Sequence, residues 1–208
     1  MKLYEVYKQI QLDEFWNGIE EQLLSEAGED AGLSSLLSEA NQVVFEKFNI
    51  NPKERVYFIA GSARLYLYPE LRTYFGLKPI GDLDVIVPEK QLWVNAGLTN
   101  AWNNNGIYRP TNEIEVFNLW LPAKSGEQYA NTQVRDTKTI LASATFVNGY
   151  YFMPIRDIVD YKLKLSREKE AVVVNLVAKY MNNGQDKMNI LKNIISLIGK
   201  ENTKTLFA

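Results

Sequence analysis

The sequence predicts an α+β protein, a small β-sheet flanked by helices, on three observations. Short apolar runs bounded by turn residues recur through the middle of the chain, at 56–60, 80–87 and 113–121, which is the pattern of strands. Amphipathic stripes with helical spacing precede them, and from Pro154 onward the pattern returns to helices. A chain of 208 residues is one domain of ordinary size, or one domain with an appendage. The expected organisation is an N-terminal helical segment over 1–50, a sheet core over 51–153, and C-terminal helices over 154–208 that pack on the core.

Each element has its reason. Residues 12–24 place Leu12, Phe15, Trp16, Ile19, Leu23 and Leu24 on one stripe with Glu14, Glu20 and Glu21 outside it. A polar break at 28–32 leads to a second helix over 34–48, whose apolar face carries Leu37, Ala40, Val44 and Phe48. Asn49-Ile50-Asn51-Pro52 is a turn. The first core strand is 56–60. Residues 63–75 are helix-competent but interrupted by Pro69, which cannot donate a backbone hydrogen bond. The second strand is 80–87, stopped by Pro88. A helix is expected over 89–100, a short strand at 107–108, and strands over 113–121 and 139–147. Asn148-Gly149 is a hairpin signal into 150–153. Three C-terminal helices follow, over 155–165, 168–181 and 186–198, the first with proline well placed at its start.

Composition narrows the chemistry. The chain has no cysteine and no histidine, which excludes disulfides, thiolate zinc sites, cysteine nucleophiles and histidine bases. Catalysis must run on carboxylates, lysine, hydroxyls or a metal. A formal net charge of −2 argues against a broad basic face for nucleic acid. No apolar run reaches the roughly 18 residues a membrane span needs, and the N-terminus lacks a signal pattern. A cytoplasmic, intracellular protein is expected.

The stretch 56–88 carries the functional signal. Its second apolar run holds Asp82 and Asp84, which share one face of a strand about 7 Å apart. Burying two unpaired acids costs several kcal/mol, and a divalent cation is the natural compensation. Gly61-Ser62 stands at the end of the preceding strand. Glycine admits close backbone approach to a ligand, and the following amides with the Ser62 hydroxyl suit an anion such as phosphate. A phosphate cradle beside paired carboxylates points to metal-assisted phosphoryl or nucleotidyl transfer. Arg64 is a further phosphate candidate, although an exposed surface arginine is the commoner case. A third carboxylate is needed on a neighbouring strand, and Glu115, between Ile114 and Val116, is the candidate; Glu113 shares its face. The plain alternative is a half-exposed strand whose outward positions are acidic. Lys162 falls on the apolar stripe of its helix, either snorkelling past the core edge or reaching a cleft.

The succession I-A-G-S-A-R-L-Y and then G-D-L-D-V-I-V-P resembles the polymerase-β-like nucleotidyltransferase superfamily, in its small prokaryotic and phage-borne, toxin-like members. The resemblance implies a small mixed β-sheet nucleotidyltransferase core. It implies that Asp82 and Asp84 hold Mg²⁺ on a nucleoside triphosphate, that Gly61 and Ser62 seat the β- and γ-phosphates, and that Glu115 serves a second metal or takes the acceptor's proton. A lysine at the place of Lys162 recurs in that family. The acceptor would be a hydroxyl of RNA, protein or a small molecule. The chain departs from the pattern at 167–173, where valines replace acids. That leaves a second expectation, a catalytically silent fold of this kind serving as an assembly component of a phage particle or protein complex, and a third, a toxin or antitoxin with a protein partner. A homo-oligomer fits either of these.

Overall fold

A computed structural model describes residues 16–18, 20, 21, 23–25, 27–68, 78–104, 106–120 and 135–158. The chain divides into two compact units, one of residues 1–26, 125–134 and 155–208, the other of 27–124 and 135–154. In the first unit residues 16–18, 20, 21, 23–25 and 155–158 are helical. Trp16 and Leu23 are buried there, but Leu24 is 41% exposed and stands off the stripe the spacing put it on. Glu20 accepts the Ile155 N–H at 2.5 Å, satisfying one of the amides a helix start leaves open. The helices expected over 168–181 and 186–198 lie outside the described residues.

The second unit is a six-stranded mixed sheet flanked by helices. Its first helix, α1 (Ala31–Ala40), runs through a π-turn (Asn41–Phe45) into the last turn α2 (Glu46–Phe48). It starts three residues before the expected Ser34, because Asp30 caps it: the Asp30 carboxylate accepts the Leu33 N–H at 2.8 Å. Asn49, in the left-handed region at φ 53°, ends it. Its apolar stripe buries Leu33, Leu37, Ala40, Val44 and Phe48, and the wide turn brings Phe45 inward to lie 4.5 Å from the Tyr57 ring. This helix therefore belongs with the sheet rather than with an N-terminal segment ending at residue 50.

The strands are β1 (Phe58–Ile59), β2 (Leu83–Ile86), β3 (Ile107–Tyr108), β4 (Ile114–Phe117), β5 (Thr145–Val147) and β6 (Tyr150–Phe152). Their order is β3-β4-β2-β1-β6-β5. β1 is antiparallel to β2 and parallel to β6, β2 is parallel to β4, and the two outer pairs are antiparallel. The central strands are nearly all buried because apolar residues face both ways. The expected runs thus shorten to their hydrogen-bonded middles. The Asn148-Gly149 turn closes β5 on β6 with both residues at positive φ, 48° and 91°, as a two-residue hairpin requires.

Two helical expectations change. The helix expected over 89–100 is two, α3 (Lys90–Asn95) and α4 (Thr99–Asn103), parted at Ala96-Gly97. The run 139–147 is not one strand: Thr137–Ala142 form helix α5 and only Thr145–Val147 pair in the sheet. Asp136 makes the difference. Its carboxylate accepts the Lys138 and Thr139 N–H groups at 3.0 Å and the Thr139 hydroxyl as well. The Thr139 hydroxyl, with these amides, holds the Asp136 carboxyl below its ordinary value.

Candidate functional site

The pairing of β2 with β4 builds the site. Their register sets Leu83 beside Ile114, Asp84 beside Glu115, Val85 beside Val116 and Ile86 beside Phe117. Since faces alternate along a strand, Asp84 and Glu115 share one face and neighbour each other across strands roughly 4.8 Å apart. Both are half-buried while their flanking residues are buried, so two acids sit side by side on interior strands of an otherwise apolar stretch of sheet. Glu115, not Glu113, is the residue level with Asp84; Glu113 precedes β4 and uses its carbonyl to accept the Leu83 N–H at 2.7 Å.

Gly61 completes the neighbourhood. β1 hands the chain on through Ala60, whose N–H donates to the Asp84 carbonyl at 2.8 Å. Gly61 follows at φ 69°, and a Cβ added there would stand 3.4 Å from Asp84 Oδ2. Gly61 is itself buried, its missing side chain leaves space beside the carboxylate, and the left-handed turn suits glycine. Ser62 is half-buried and starts a single 3₁₀ turn, Ala63–Leu67, without capping it by its side chain. The turn ends at Tyr68, beside the Pro69 interruption expected there, and the rest of the 63–75 stretch lies outside the described residues; five residues of 3₁₀ geometry give a weaker anion site than an α-helix start.

The other expected residues are placed differently. Asp82 stands one residue before β2 and is exposed; the parallel register puts it level with Glu113. Its charge, after burial, raises the Tyr66 phenol above its ordinary value, and the Tyr66 hydroxyl donates to the Lys78 carbonyl at 2.8 Å. Arg64 is not exposed at all. Its guanidinium donates to the Tyr68 hydroxyl at 3.2 Å and to Thr145 Oγ1 and the Met153 carbonyl, both at 3.3 Å. It braces the 3₁₀ turn against β5 and the end of β6 rather than presenting a cation to a phosphate. Lys162 lies outside the described residues.

One residue escaped the sequence reading. Arg109 follows the edge strand β3, whose register with β4 pairs Ile107 with Phe117 and Tyr108 with Val116. The next step of that register sets Arg109 opposite Glu115, and Arg109 Nε lies 2.7 Å from Glu115 Oε1. The signal was present: the two-residue β3 and Arg109 after it fold back on β4 about Thr111, whose hydroxyl accepts the Ile114 N–H at 3.2 Å. A row of one cation and two acids, Arg109, Glu115 and Asp84, thus crosses three strands and ends against Gly61.

Among the described residues no group of three or more acidic side chains is arranged to hold a metal ion. Two neighbouring carboxylates such as Asp84 and Glu115 are a donor set of the kind Mg²⁺ takes, with water and substrate phosphates completing its shell. Also among the described residues, no helix is long and apolar enough to cross a membrane. Comparison with known proteins finds no family model that matches the chain, and neither a curated protein nor a solved structure that matches it.

Proposed function

We propose that the chain is a nucleotidyltransferase of the polymerase-β-like kind, moving a nucleoside monophosphate from a triphosphate to a hydroxyl acceptor. The observation that carries this reading is the register of Asp84 on Glu115 with Gly61 held against Asp84. Residues 23 to 54 positions apart in sequence do not meet in this way through local propensity. A bound Mg²⁺ would supply charge neutralisation on the triphosphate. Asp84 and Glu115 would hold it, and the space beside Gly61 would admit the phosphates. The acceptor oxygen attacks the α-phosphorus, its proton passing to Glu115 or solvent, and the bond to pyrophosphate breaks in line. RNA, a protein and a small molecule all offer such a hydroxyl.

The test is transfer of labelled nucleotide with Mg²⁺ and a panel of acceptors. Asp84→Asn is expected to cut the rate at least about 100-fold, the scale of several kcal/mol of lost charge stabilisation, while urea unfolding stays close to that of the parent. Transfer that persists in Asp84→Asn sinks the reading.

A second reading has its own observation. Glu115 is engaged by a protein cation, Arg109, at 2.7 Å, which is what an acid retained for structure would show. On that reading the fold is catalytically silent and serves an assembly, in a phage particle or a protein complex. Absence of both nucleotide and metal binding in the folded chain would favour it.

A further inference from the structure

We infer that Asn148 is a site of spontaneous deamidation, and that its conversion to aspartate or isoaspartate unfastens Gly28 from the β5–β6 hairpin. Asn-Gly is the dipeptide most open to this chemistry, because no Cβ shields the glycine nitrogen. The chain carries it at 17–18, 105–106, 148–149 and 183–184, and the fold treats the copies differently. Gly18 is helical. Gly106 is buried, its N–H donates to the Ala101 carbonyl at 2.7 Å, and the Asn118 side chain fills the space beside it. The pair 183–184 lies outside the described residues. Asn148 is exposed at the tip of the hairpin, and nothing stands within 4 Å of where a Gly149 Cβ would be.

The Gly149 nitrogen, once its proton passes to hydroxide, attacks Asn148 Cγ. The new N–Cγ bond closes a succinimide, the Cγ–Nδ2 bond breaks, and ammonia leaves with a proton taken from water. Water then opens the ring at either carbonyl, giving aspartate or isoaspartate and one added negative charge. Water is the only co-reactant, and no transferase site is involved. The departing nitrogen is the one that holds Gly28: Asn148 Nδ2 donates to the Gly28 carbonyl at 2.8 Å. The Gly28 N–H in turn donates to the Leu67 carbonyl at 2.6 Å, so Gly28 ties the hairpin to the end of the 3₁₀ turn Ala63–Leu67. A carboxylate at 148 offers no donor and faces a carbonyl oxygen, which opens the tie. Isoaspartate does more, because it adds a main-chain carbon to the two-residue turn that sets Val147 opposite Tyr150.

The full chain is aged at mildly alkaline pH, digested at acid pH, and mapped by peptide mass. Conversion at Asn148 is expected to run at least about fivefold ahead of Asn17 and Asn105, because those steps wait on the opening of a helix and of the Gly106 amide. In urea the three rates should draw together. Hydrogen exchange at the Gly28 amide, read by NMR, is expected to quicken about two- to tenfold in Asn148→Asp, the scale of one hydrogen bond. Exchange at the Gly106 amide should stay at the parent rate. Circular dichroism verifies that the variant is folded, and the aged chain, separated from the parent by anion exchange, gives the same reading without a substitution.

A lead for Asn148 that vanishes in urea supports the site, and faster exchange confined to Gly28 supports the tie. Equal rates in the folded chain, or a lead for Asn17 or Asn105, overturn the site. A lead that persists unchanged in urea also overturns it, because the neighbouring residues and not the fold would then set the rate. Parent-like exchange at Gly28 in the folded Asn148→Asp chain overturns the unfastening.

Discussion

Replacing Arg64 by methionine separates a core brace from a phosphate contact. Methionine keeps much of the length and volume of the stem, so the cavity term is small. What disappears is the charge and its hydrogen bonds. The three bonds to Tyr68, Thr145 and Met153 are 3.2–3.3 Å long, past the usual N–H···O range, so each contributes toward the low end for a charged donor, about 1.5 kcal/mol. Their loss also strips donors from a buried carbonyl and a buried hydroxyl. Removing one member of such a buried charged network costs about 3–5 kcal/mol, against a total stability of about 5–15 kcal/mol for a domain. The assay is the urea midpoint of Arg64→Met beside the parent, with nucleotide binding measured where both are folded. A loss below about 1 kcal/mol together with abolished nucleotide binding would refute the reasoning and return Arg64 to the phosphates.

Further consequences can be checked by the same methods. Gly106→Ala would set a Cβ 1.9 Å from the Asn118 side-chain carbon, which must move although the Gly106 carbonyl accepts the Asn118 N–H at 2.9 Å; a loss of about 2–3 kcal/mol is expected in urea, and parent-like unfolding would contradict the packing. The Tyr57 phenol, buried and donating to the Pro52 carbonyl at 3.0 Å, is held above its ordinary value of 10.0 chiefly by burial. The unfolded chain therefore releases that proton first: the contribution is whole below pH 10 and falls above it by up to about 1.4 kcal/mol per pH unit. Tyr57→Phe should flatten the alkaline loss in unfolding experiments, and an unchanged slope would exclude Tyr57 as its source.

The parts of this fold that could be read from the chain are those decided locally. The apolar runs marked β1, β2 and β4, the Asn148-Gly149 pair marked the hairpin, and an acid set between Ile114 and Val116 marked Glu115. The run from Thr139 to Val147 misled because β-branched residues resemble a strand, while one capping carboxylate at Asp136 tips its first half into a helix. Asp30 did the same at α1. Arg64 was illegible for another reason: its fate depends on acceptors 81 and 89 residues away. A cation just after a Gly-Ser turn looks like a phosphate contact until the sheet closes over it.

Arg109 shows how far the register alone can carry an argument. Asp84, Glu115 and Arg109 lie on β2, on β4 and just past β3, and only the two pairings between those strands bring them onto one line. The three side chains carry two negative charges and one positive. With a divalent ion on the acids the same row becomes net positive. On the transferase reading, the divalent ion would then draw the triphosphate toward the acids. On the silent reading the salt bridge merely reduces the repulsion between two neighbouring acids. The difference between an enzyme and a scaffold thus rests on whether Asp84 and Glu115 take a divalent ion or serve only the sheet.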